Sequence, residues 1–283
     1  MAALLLNAAG MTVAEDRNPS LSAGCDKPAR SGAFTLSTQD GNRRARTYLL
    51  QVPSDYSPSR PYSLVFVFHN GGGSGAQSAA WGLQRAAGAA ADAIFVFPNG
   101  IHYRREGIGW DDRADGYDLP FFDNMGKDLE ASYCIDPEKV FVAGFSWGGD
   151  FAIALACHRG DAIRAIAVNS AGDEYKDASN YLTYDGLPCW SRRHPPVRFV
   201  HAAVGDAEYP PPDFATTTKL IQYINSCSAA VTVVKSSTSA MSCVSFNGCA
   251  SEYVECSFEH DIGSVIPPNW ARDTWAFFSE NSK

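Results

Sequence analysis

Ser146 stands at the centre of Gly144-Phe145-Ser146-Trp147-Gly148, a G-x-S-x-G pattern whose middle residue can attack a carbonyl carbon. The apolar residues 140–143 precede it and Phe-Ala-Ile-Ala-Leu-Ala-Cys at 151–157 follows, so the serine falls between a buried strand and a helix. Small residues let the backbone turn sharply there and leave the hydroxyl exposed in a strained conformation. A neutral hydroxyl is a weak nucleophile; it needs a base to take its proton and a carboxylate to orient that base.

Three histidines follow the serine and its helix: His194, His201 and His260. His194 precedes two prolines in a polar stretch and reads as an exposed loop residue. His201 lies within or at the end of an apolar run and reads as a core histidine. His260 comes after strand-like residues 253–258 and just before a loop and the last helix, which makes it the expected base. For the acid, Asp206 sits in Val204-Gly205-Asp206-Ala207-Glu208, immediately beyond the apolar run 198–203. Glu208 is its near rival, and Asp173 and Glu174 are more distant ones. The chain order serine, acid, histidine is that of the α/β-hydrolase arrangement. Charge developing on the carbonyl oxygen needs preorganised donors. The expected oxyanion hole is made by the N–H of Trp147, the residue after the nucleophile, and by the segment His69-Asn70-Gly71-Gly72-Gly73. Gly71 is the expected second donor, with Asn70 and Gly72 as alternatives.

The elements that must carry these residues alternate. Short β-like runs at 33–37 and 47–52 are followed by buried strands at 64–68, 94–97, 140–143, 163–168 and 198–203, and by a further strand at 231–235. Helical patterns occupy 77–91, 121–133, 217–224 and 270–280. Strands alternating with helices imply an α/β class: an α/β-hydrolase fold with a mostly parallel central sheet and helices on both faces. Residues 104–118 and 175–194 read as long surface excursions. Residues 1–24 are expected to be a leader or flexible segment, and 25–283 a single catalytic domain.

Composition bounds the partners. With 45% hydrophobic and 19% charged residues, the 283-residue chain can bury a sizeable core. A formal charge of −8 argues against nucleic acid, and the short basic runs, among them Arg43-Arg44-Ala45-Arg46, read as solvated turns. Eight cysteines, four of them between Cys227 and Cys256, indicate disulfides formed in an oxidising compartment. Their pairing is open, and Cys157 on the apolar face of its helix reads as a free buried thiol. Without C-x-x-C or zinc-finger histidine spacing, no metal is expected, and no cofactor is implied. Residues 1–15 resemble a secretory h-region lacking its basic n-region. The expectation is a secreted, extracellular monomer with no membrane span.

The chain resembles carbohydrate esterase family one, particularly the type B feruloyl esterases, with polyhydroxybutyrate depolymerases and acetylxylan esterases as relatives. The resemblance runs from about Gly24 to the C-terminus. It rests on Ala23-Gly24-Cys25, Arg46-Thr-Tyr-Leu-Leu-Gln-Val-Pro53, Ile108-Gly-Trp-Asp-Asp112 and residues 129–149 through the serine. Ala154-Leu-Ala-Cys157, residues 163–170, Gly205-Asp206 with Tyr209-Pro210, Glu259-His260 and Trp275-Ala-Phe-Phe278 carry it further. It implies a secreted esterase releasing hydroxycinnamates such as ferulate from plant cell-wall polysaccharide, with Ser146 as nucleophile, Asp206 as acid and His260 as base. Acetylated xylan and polyhydroxybutyrate are alternative substrates. A non-catalytic carbohydrate-binding protein of the same fold is a distant alternative, which would be missing a triad member. Tyr103, Trp110, Tyr117, Phe121 and Trp147 are the residues expected either to wall a phenolic acyl group or simply to pack a loop over the core.

Overall fold

The computed structural model describes residues 21–103, 107–172, 191–202, 211–258 and 266–282, with Tyr103 and residues 211–213 described by backbone alone. The apolar runs become strands buried on both faces. In β3 (Tyr62–Phe68), Leu64, Phe66 and Phe68 enter one core while Val65 and Val67 enter another. This period-two split repeats in β4 (Ala93–Pro98), where Ile94 and Val96 face opposite to Phe95 and Phe97. A strand that buries both faces must be covered on both, and helices do so.

The first core is closed by α3 (Asp118–Ser132), α4 (Trp147–Arg159) and α5 (Pro211–Ile224). The second is closed by α1 (Gly75–Ala80), α2 (Ala89–Asp92) and α6 (Trp270–Glu280). Each fully buried Phe or Leu contributes about 1.5–3 kcal/mol relative to exposure, so the two cores dominate the fold's stability.

The remaining strands are β1 (Gly32–Gln39), β2 (Ala45–Val52), β5 (Ile101–Tyr103), β6 (Gly107–Gly109), β7 (Ile135–Phe145), β8 (Ala165–Asn169), β9 (Val197–Ala202), β10 (Val231–Val234), β11 (Met241–Phe246) and β12 (Tyr253–Phe258). Among the described residues one sheet has the order β1-β2-β4-β3-β7-β8-β9-β12-β11-β10. Its centre, from β4 to β12, is parallel, and antiparallel pairs finish both edges. β5 and β6 form a separate hairpin. No helix among the described residues is long and apolar enough to cross a membrane.

Several expectations need correction. The helix expected over 77–91 is broken into α1, a short turn at Leu83–Arg85 and α2, because Gly82 and Gly88 both take φ of 85°. β11 and the β5–β6 hairpin have no counterpart in the expected elements. Residues 104–118 are not wholly a surface excursion, since Trp110, Asp111 and Asp118 are fully buried. Arg46 is not part of a solvated turn. It occupies the buried phase of β2, alternating with Thr47 and Leu49 on the outer phase.

The packed chain reaches back to Ser22, before the expected boundary at 25. Ser22 is buried, its Oγ donates to Tyr133 O at 2.6 Å, and it accepts the Ile135 amide at 2.8 Å. Cys25–Cys134 closes that contact covalently, with Cys227–Cys249 and Cys243–Cys256 bracing the β10–β12 edge. Cys157 is also disulfide-bonded, so its reading as a free thiol is overturned.

Candidate active site

Ser146 links the end of β7 to the first residue of α4, with φ 52° and ψ −128°. A non-glycine residue there is strained by about 1–3 kcal/mol and persists only where its surroundings over-determine it. They do: its amide donates to Asn169 O at the end of β8 (2.9 Å), and its carbonyl accepts the amides of Gly149 (2.6 Å) and Asp150 (3.0 Å). Gly148 allows the tight approach, because a Cβ on it would lie 2.3 Å from Phe68 O. The buried Asp150 carboxylate accepts the Gly172 amide at 2.9 Å, tying the chain beyond β8 to the same helix turn. Trp147 begins α4, where helix geometry supplies no i−4 acceptor and the dipole favours negative charge.

The glycine-rich segment lies against this turn. A Cβ on Gly71 would stand 3.3 Å from Trp147 Cε3, so the structure brings together the two residues expected to form the oxyanion hole. The Gly72 amide is committed to Ile108 O at 2.7 Å, and that of Gly73 to Asn70 O at 3.0 Å. This removes Gly72 from the alternatives and leaves Gly71 and Asn70.

His69, fully buried, holds the segment from behind. Its Nε2 accepts the Gly100 amide at 2.8 Å, which leaves Nδ1 as the protonated nitrogen, donating to Asn70 O at 2.7 Å. Burial drives its pKa down to about 4, so the ring is neutral at ordinary pH. The indole N–H of Trp110 donates to His69 O at 2.8 Å.

Asp206, His260, Glu208, Asp173 and Glu174 lie outside the described residues, but the strands that lead to two of them do not. β9 ends at Ala202 and β12 at Phe258, and both run parallel to β7 in the order β7-β8-β9-β12. The three strands preceding Ser146, Asp206 and His260 therefore finish at one edge of the sheet, the edge where open α/β sheets bind ligands.

His194 precedes β9 and is at the opposite edge. His201 is a satisfied core histidine, as read from its apolar context: Nε2 lies 2.9 Å from Glu255 Oε1 and the ring stacks on Phe214. Burial pushes the Glu255 carboxyl up, but hydrogen bonds from His201, Tyr253 and Thr218 outweigh it and hold the group below its usual range.

Two members of the expected aromatic wall are elsewhere. Trp110 is fully buried, stacked on Phe151 with centroids 5.5 Å apart, and Phe121 is buried under the Arg46 guanidinium. Trp110 thus supports the glycine-rich segment through His69 and has no exposed face. Tyr117 is half-buried beneath Arg44. The Trp147 ring passes directly over Gly109, where a Cβ would lie 2.3 Å from it, and next to Gly71; it stays at the site. The side chain of Tyr103 lies outside the described residues.

A mostly parallel sheet covered on both faces, with a strand–serine–helix elbow at its carboxyl edge, defines the α/β-hydrolase fold. Solved structures share it: an acetyl xylan esterase from Aspergillus awamori superposes with a TM-score of 0.68 at 16% identity, covering 87% of this chain and 99% of that one. A ferulic acid esterase matches with a TM-score of 0.52 at 15% identity, covering 88% and 96%. Curated relatives narrow the likeness to feruloyl esterases. Feruloyl esterase C of Emericella nidulans is 35% identical over 176 residues, 58% of this chain and 62% of the relative. Feruloyl esterase D of Neurospora crassa is 33% identical over 162 residues, 53% of each chain. The matched segments span less than two thirds of these relatives' own length. No protein-family model matches the chain.

Proposed function

We propose that the protein is a secreted serine carboxylic-ester hydrolase that releases hydroxycinnamates such as ferulate from plant cell-wall polysaccharide. The observation that carries this reading is Ser146 held at φ 52° between β7 and α4, with Gly71 packed against Trp147. The curated feruloyl esterases similar over the matched segment support the substrate class, and the disulfides support an oxidising compartment.

In this mechanism His260 takes the Ser146 proton as Oγ attacks the ester carbonyl. Asp206 holds the imidazole and stabilises the imidazolium. The N–H groups of Gly71 and Trp147 receive the oxyanion, a contribution of the kind worth roughly a hundredfold to a thousandfold in kcat per donor. The sugar alcohol leaves with the proton from His260. Water, deprotonated by His260, then cleaves the acyl-enzyme, and the serine recovers its proton. Trp147 and Tyr103 are the proposed contacts to the phenolic ring.

Deacetylation of xylan is the second reading, favoured by the close shape match to an acetyl xylan esterase. The deciding experiment compares kcat/KM for methyl ferulate, p-nitrophenyl acetate, acetylated xylan and hydroxybutyrate oligomers, with Ser146→Ala as control. Methyl ferulate should be preferred and the alanine variant inactive. Retained activity in Ser146→Ala sinks the esterase reading, and preference for acetyl esters sinks the feruloyl one.

A further inference from the structure

A charged residue on the buried phase of a strand needs an explanation, since an isolated ion in a protein interior is costly. Arg46 on β2 is only 2% exposed. Its Nη1 donates to Asp118 Oδ1 at 2.7 Å and reaches Asp40 Oδ2 at 3.4 Å; its Nη2 donates to the main-chain oxygen of Asn99 at 2.9 Å. Asp118, fully buried at the start of α3, accepts the Asp111 amide on its other oxygen at 2.8 Å. One guanidinium therefore grips two separate stretches of backbone, directly at Asn99 and through Asp118 at Asp111.

Those two stretches are the ones that hold the oxyanion segment. After Asn99 comes Gly100, whose amide enters His69 Nε2, and the Asn99 side chain accepts the amide of Gly75, where the glycine run passes into α1. Before Asp111 comes Trp110, whose indole N–H holds His69 O, and two residues earlier Ile108 O takes the Gly72 amide. The segment 69–75 is thus fastened at four points, and all four lead back within three residues to Asn99 or Asp111.

We propose that the buried Arg46–Asp118 pair is a positioning element that sets where the Gly71 amide stands relative to Ser146. Neither residue touches substrate. The pair acts on the reaction by fixing the oxyanion donor, so it governs binding of the tetrahedral state more than binding of the ester. This inference rests on the esterase reading above. The bland alternative, a buried ion pair that only holds β2 to α3, predicts a loss of folded protein without any change in the sites that remain folded.

The test uses Arg46→Lys and Asp118→Asn in the full chain. A lysine ammonium keeps the charge but cannot bridge Asp118 and the Asn99 carbonyl as the planar fork does. Asparagine keeps the shape of Asp118 and gives a second, milder variant if Arg46→Lys does not fold. Hydrolysis of p-nitrophenyl acetate is measured per active site, counted with a fluorophosphonate probe. Affinities for an aryl boronic acid, which forms a tetrahedral adduct on serine, and for free ferulate are measured alongside.

The expected result is a kcat per labelled site lower by roughly tenfold to a hundredfold, part of what losing a donor outright costs. KM and ferulate affinity should stay within about twofold, and boronate affinity should fall in step with kcat/KM. Unchanged kcat per labelled site and unchanged boronate affinity in a folded variant overturn the positioning role alone. A wild-type protein without ester hydrolysis overturns the esterase reading on which it rests.

Discussion

The imidazole of His69 accepts the Gly100 amide at 2.8 Å on Nε2 and faces the Asn70 carbonyl at 2.7 Å with Nδ1, so the ring joins two loops only while it is neutral. Protonation at Nε2 would set a donor against a donor. Burial is the main reason its pKa falls to about 4, and the Arg46 charge adds to the fall.

The pH dependence follows from that depression. Between about 6.5 and about 4 the unfolded chain binds a proton at this position that the native chain refuses, so stability drops as pH falls through this window. The full contribution is present above the unfolded value and amounts to about 3 kcal/mol. Urea unfolding from pH 7 to pH 4 should show wild type losing about that much more than His69→Asn, which cannot titrate there. Parallel curves for the two proteins would contradict a buried, neutral His69.

Trp110→Phe separates support of the glycine-rich segment 69–75 from contact with substrate. The variant leaves His69 O without its indole donor in a buried place, a loss of about 1–3 kcal/mol in stability. Thermal melting should register it, while KM for methyl ferulate stays near wild type. A raised KM with unchanged melting would return Trp110 to the substrate wall.

The Cys243–Cys256 bridge joins β11 to β12 directly opposite in register, four residues before His260. Replacing both cysteines by alanine should cost about 3 kcal/mol for a loop of this length and also lower kcat, because β12 delivers the proposed base. Removing Cys25–Cys134, which closes 109 residues far from that edge, should lower stability and leave kcat per folded site unchanged. Equal effects on kcat from the two bridges would remove the special role of the first.

Features encoded by adjacent residues are legible in the sequence. Residues 140–157 contain a buried strand, a serine between glycines and a helix in one contiguous stretch, and the structure assembles them so. A mostly parallel sheet was legible in the alternation of apolar runs and helices, but the parallel seating of β12 beside β9 was not, since β10 and β11 come between them in the chain with no helix directly before β12. The break at 77–91 is not legible in the alanine-rich composition, because it depends on the left-handed conformation that Gly82 and Gly88 adopt in the fold. Arg46 carried an overlooked signal: β2 alternates Arg46, Tyr48, Leu50 and Val52 on its buried phase, and a charge in that phase marks a buried ion.

The sequence by itself determined the strand–serine–helix elbow at Ser146 and the two-sided burial of the strands, since each depends on neighbours a few residues apart. Only the tertiary structure decided that Gly72 is spent on Ile108, that Trp110 lies buried under His69, and that Arg46 meets Asp118. Those contacts join residues 36, 41 and 72 positions apart. No local propensity encodes such a pairing; it follows from which strands neighbour one another and from the need to give every buried polar group a partner.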